Sequence, residues 1–63
     1  MSKRFIKTMR ERHQLGVNAS KEAKRQLEFA KDIGVDVAVQ EEELSQLDER
    51  LNDISRAIKK QEE

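Results

Sequence analysis

Asp32-Ile33-Gly34-Val35-Asp36-Val37-Ala38-Val39-Gln40-Glu41-Glu42-Glu43-Leu44-Ser45-Gln46-Leu47 carries the two signals that decide the fold: a polar residue inside an apolar stripe, and a glycine that can stop a helix. From Gln40 the stripe continues through Leu44, Leu47, Leu51, Ile54 and Ile58, in alternating steps of four and three. That spacing is the heptad seam of helices that pack on other helices. A glutamine in such a seam weakens apolar packing but fixes register and partner number, because its amide needs hydrogen-bond partners at its own level.

Followed backwards, the same steps pass through Val37, Ile33, Ala30, Gln26, Ala23, Ala19, Gly16, Arg12, Met9 and Phe5 without a stutter. Small alanines line the first half and branched residues the second, so the strong seam begins at Ile33. One uninterrupted helix from Phe5 to Gln61 would be about 85 Å long, a rod unable to bury its own stripe. The first expectation is therefore an all-α chain in which a long amphipathic heptad-repeat helix joins a coiled coil or helical bundle. Residues 1–18 form its basic N-terminal segment and residues 19–61 its heptad repeat.

Two glycines open an alternative. Gly16-Val17-Asn18 can end one helix, with Asn18 or Ser20 capping the next, and Gly34 followed by Asp36 can end another. Breaks at both sites give a compact three-helix bundle of roughly residues 2–15, 19–33 and 37–61. Leu15, Leu27, Phe29, Val35 and Val39 lie off the seam and favour that alternative, since they too need cover.

Composition points the same way. The chain has 63 residues, 41% charged, with two phenylalanines as its only aromatics, no proline and no cysteine. That is the make-up of a long helix or coiled coil, and it rules out disulfides and Cys-based zinc sites. No apolar run is long enough to span a bilayer, and nothing resembles a signal peptide. The formal net charge of zero conceals a division. Residues 1–25 carry eight basic side chains and two acids, whereas residues 26–63 carry eleven acids and five bases. Such halves can pair in a hairpin, pair with another copy, or meet different partners.

Catalytic chemistry finds no foothold. His13 is the only histidine and reads as a solvated helix residue without metal-ligand neighbours. No phosphate loop or nucleophile arrangement occurs, and Glu41, Glu42 and Glu43 point in different directions around a helix. The expected chain is not an enzyme and holds no cofactor, metal or small-molecule substrate. Lys3, Arg4, Lys7, Arg10 and Arg12 are candidate contacts to an anionic partner, including a membrane surface. Nucleic acid is disfavoured by the acidic second half and the lack of tyrosine and tryptophan.

The stretch around Gln40, with Leu44, Leu47, Leu51, Ile54 and Ile58, resembles a SNARE motif of the Qc class, which includes the C-terminal helix of synaptosome-associated SNAREs. The resemblance covers residues 30–58. It implies that Gln40 is the central polar-layer glutamine, that Ala30, Ile33 and Val37 are apolar layers before it, and that Leu44, Leu47, Leu51, Ile54 and Ile58 are layers after it. It further implies assembly with other helical proteins in a parallel bundle, in vesicle docking and membrane fusion or their regulation, in the cytoplasm or peripherally at the cytosolic face of membranes. Gln26, Gly16 and Arg12 depart from the apolar layers of that family. The functional alternative is a small compact helical bundle, monomeric or homodimeric, that regulates a protein partner.

Overall fold

The computed structural model describes residues 2–62; Met1 and Glu63 lie outside the described residues. Two helices account for nearly all of it, α1 over Lys3–Asp32 and α2 over Ala38–Glu62. They lie antiparallel, because Arg10 near the start of α1 pairs with Glu62 at the end of α2, while Lys31 at the end of α1 pairs with Glu41 at the start of α2. The molecule measures 48 × 15 × 13 Å, little more than half the length of the continuous rod. The fold is all-α, a helical hairpin.

Local chemistry sets each helix end. Ser2 caps α1, its hydroxyl accepting from the Phe5 amide at 3.2 Å. At the other end the Gly34 amide donates to the Lys31 carbonyl at 3.0 Å, and the Val35 amide donates to the Ala30 carbonyl at 2.9 Å. That pair of reversed bonds is a Schellman motif, and it requires the left-handed φ of +86° that Gly34 adopts. Asp36 then accepts from the Ala38 amide at 3.1 Å and starts α2. Glu41 in the first turn of α2 and Lys59 and Lys60 in its last turn all suit the helix dipole.

Gly16 behaves differently from Gly34. The break that a three-helix bundle needs at Gly16 does not form, and α1 runs through residues 16–20 as regular helix. Asn18 accepts a hydrogen bond from Gln14 one turn earlier, and Ser20 is buried against α2, so neither caps a helix. Gly16 faces α2 at close range. A Cβ built there would stand 2.7 Å from Cδ2 of Leu51, inside the contact distance of two carbons. The missing side chain is the space that Leu51 fills.

The core is thin. Val37, Leu51 and Ile58 are the buried apolar residues of the described chain, with Ser20 as the buried polar one. Half-buried Ile6, Met9, His13, Gly16, Val17, Ala23, Leu27 and Ala30 complete the α1 side, and Leu44, Asp48, Ile54 and Ser55 the α2 side. Of the off-seam residues, Leu27 enters the interface, whereas Leu15, Phe29, Val35 and Val39 stay exposed.

The two glycines should respond to substitution for different reasons. Gly34→Ala meets no neighbour but must hold a left-handed φ, and should lower stability by about 1–2 kcal/mol in thermal or urea melts. Gly16→Val forces two methyl groups into the space of Leu51 and should cost about 1–3 kcal/mol, despite removing a helix-interior glycine. A Gly16→Val melt at or above that of the original chain would contradict the close approach.

Candidate interaction surface

The two sides of the hairpin differ. On one side, a column of α1 residues seven apart, Arg10, Val17, Lys24 and Lys31, faces a column of α2 residues seven apart, Glu41, Asp48, Ser55 and Glu62. The pairs match level by level in antiparallel order. Arg10 bonds Glu62, Val17 and Ser55 line one groove, Lys24 Nζ lies 2.9 Å from Asp48 Oδ2, and Lys31 Nζ lies 3.0 Å from Glu41 Oε1. Surface ion pairs contribute little stability each. Their arrangement nonetheless favours the antiparallel register, because a parallel pairing of the same columns would set Asp48 beside Val17 and Lys24 beside Ser55, losing the central ion pair.

Two polar contacts reinforce this side from within. The Ser20 hydroxyl, almost fully buried, donates to Asp48 Oδ1 at 2.6 Å. The hydrogen bond from Ser20, joined by Lys24, holds the pKa of the Asp48 carboxyl below its ordinary value of 3.8. Glu41 raises Lys31 above its ordinary value of 10.5 through its hydrogen bond and its charge. His13 reaches across the helices to the carbonyl of Leu51 at 2.9 Å. A carbonyl only accepts, so Nε2 of His13 carries the proton. The solvated His13 expected from the sequence is thus corrected: the ring is half-buried and is tied to the residue that seats over Gly16.

The opposite side is apolar and open. Near the turn a groove is lined by Ala23, Gln26 and Leu27 of α1 and by Gln40, Glu43, Leu44 and Leu47 of α2. Near the free ends a second groove is lined by Phe5, Ile6 and Met9 and by Ile54, Ala57, Ile58 and Gln61. Two further columns seven apart connect them: Phe5, Arg12, Ala19 and Gln26 along α1, and Gln40, Leu47, Ile54 and Gln61 along α2. No ion pair between the helices closes this side among the described residues.

The residues expected in a partner-binding seam divide accordingly. Val37, Leu51 and Ile58 are buried within the hairpin, Ala30, Leu44 and Ile54 are half-buried, and Ile33, Gln40 and Leu47 are exposed. Gln40 therefore leaves its amide to water or to a partner. Of the candidate anionic contacts, Arg10 is engaged with Glu62, while Lys3, Arg4, Lys7 and Arg12 are exposed. Ser20, His13 and the ion-pair columns carry cross-helix roles that the apolar stripe does not reveal. The signal for them is in the charges, where basic residues at spacing seven in the first half match acidic residues at spacing seven in the second.

Among the described residues no cluster of three His, Asp or Glu side chains converges on a metal-sized site, and no helix is long and apolar enough to cross a membrane. Comparison with protein-family models, with curated proteins and with solved structures yields no match.

The Ser20–Asp48–Lys24 cluster makes stability pH-dependent with a defined sign. Asp48 is more acidic folded than unfolded, so its contribution is complete above the unfolded value near 3.8 and disappears as pH falls through the lower folded value. Ser20→Ala removes the largest cause. It should move the Asp48 carboxyl titration, followed by carbon NMR, upward toward its ordinary value and flatten the acid limb of the stability curve. An Asp48 titration unchanged by Ser20→Ala would contradict the contact.

Proposed function

We propose that the chain is a non-catalytic assembly module that presents the open apolar side of its hairpin to a helical protein partner. One observation carries this reading: the sealing ion pairs sit on one side, while the opposite side leaves Phe5 and Leu47 exposed along columns of heptad spacing. Helices that show such columns bury them against other helices. Docking would supply apolar burial that the thin core lacks, and a partner helix would bring Gln26 and Gln40 into a polar level that selects register.

The SNARE resemblance of residues 30–58 supports a second reading within the same class, in which the chain joins a parallel bundle in vesicle docking, membrane fusion or their regulation. Such a bundle needs helix through residues 33–37, so Gly34 must leave its left-handed conformation and α1 must release α2. The hairpin would then be the resting form. The exposed Lys3, Arg4, Lys7 and Arg12 would serve an anionic surface on the partner or the membrane in either reading.

A photo-crosslinking amino acid at Leu47, on the apolar side, and at Lys21, on the ion-paired side, tests the docking side in cells. Protein adducts should form from position 47, be competed by excess unlabelled chain, and be lost in the presence of Ala23→Glu. Adducts that form equally from both positions, or from position 21 alone, would contradict the proposal.

A further inference from the structure

The geometry points to a second copy of this chain as the occupant of the apolar side, laid face to face with its turn at the opposite end, so that α1 packs on α1 and α2 on α2 in a four-helix bundle. This rests on the apolar side being a docking surface and names what docks there.

Four levels of side chains cross the open side, each with one residue from either helix: Gln26 with Gln40, Ala19 with Leu47, Arg12 with Ile54, and Phe5 with Gln61. A two-fold axis leaves two ways to stack a second copy. With turns at the same end, each level meets its own equivalent. The two Arg12 side chains then share one level, and Glu22 of each copy lies beside Glu43 of the other, which is like charge against like charge in a closing interface.

With turns at opposite ends, the levels interleave. Arg12 lies over Ala19 of the second copy, a long side chain over a small one, and Glu22 of that copy stands one helical turn away to receive the guanidinium. Phe5 lies over Gln26, Leu47 over Ile54, and Gln40 over Gln61, so apolar meets apolar at Leu47 and glutamine meets glutamine at Gln40. The two Arg50 side chains face each other at the axis but are exposed and turn outward to water, so this arrangement keeps like charges out of the closing levels and needs no partner of different composition. It also matches a chain whose net charge is zero, for which self-association meets no global repulsion.

Scarcity of burial gives the dimer its driving force. Three buried apolar residues among those described are few for a domain of this length, and domains near this size are commonly completed by association. Leu47, Ile54 and Phe5, exposed or half-buried in one copy, become core in two.

The two-fold axis passes between the Arg12 and Ala19 levels, so Leu15 of one copy lies near Leu15 of the other, whereas the two Gln40 residues lie at opposite ends. Because the chain has no cysteine, single-cysteine variants at these exposed positions report directly on the arrangement. Sedimentation of the full chain over the micromolar to millimolar range should show a species of twice the 7.4 kDa chain mass. Leu15→Cys should form a disulfide dimer under mild oxidation and Gln40→Cys should not. Leu47→Glu should raise the dissociation constant about a hundredfold while circular dichroism retains helix. A monomer at every concentration, or a larger oligomer, overturns the second-copy proposal and leaves the docking side to be judged by its crosslinks. Crosslinking through Gln40→Cys but not Leu15→Cys overturns the opposite-end arrangement.

Discussion

Leu51 seated over Gly16 is the contact on which the rest of the hairpin depends. With a side chain at position 16 the helices would stand further apart, and three interactions would lengthen together: the bond from His13 to the Leu51 carbonyl, the bond from Ser20 to Asp48, and the pairing of Lys24 with Asp48. Glycine inside a helix costs about 1 kcal/mol relative to alanine. The closer approach offsets that cost through burial of Leu51 and through satisfaction of polar groups that the interface would otherwise strand. Gly34 supplies the reversal that makes the approach available, but it holds nothing by contact.

The heptad stripe from Phe5 to Gln61 makes the helical class legible, and glycine followed by aspartate at residues 34–36 makes the turn legible. Which side of the stripe turns inward is not. In α1 the stripe carries two columns: Met9, Gly16, Ala23 and Ala30 enter the interface, but Phe5, Arg12, Ala19 and Gln26 stay exposed, and Ile6, His13, Ser20 and Leu27, one position further along each heptad, turn inward instead. Ser20 and His13 look like surface residues until α2 supplies a carboxylate and a carbonyl to satisfy them. Gly16 admits two local readings, seam position or break, because its value lies in a neighbour 35 residues away, outside any local window.

Charge resolves what the stripe leaves open. The division into a basic first half and an acidic second half becomes, at spacing seven, two facing columns whose three ion pairs all form together only in antiparallel order. Those columns close one side and leave the other open, with Phe5 and Leu47 exposed along it. Gln40 lies on that open side and is exposed, so its amide does not set the register of the hairpin itself.

The most direct test of the folded-back chain is a nuclear Overhauser contact between the α-protons of Gly16 and the δ-methyls of Leu51. The close approach of α1 and α2 requires a strong contact there, together with the backbone pattern of a left-handed residue at Gly34. Absence of that contact, with helical connectivities running unbroken through residues 33–37, would show a continuous rod and contradict the hairpin.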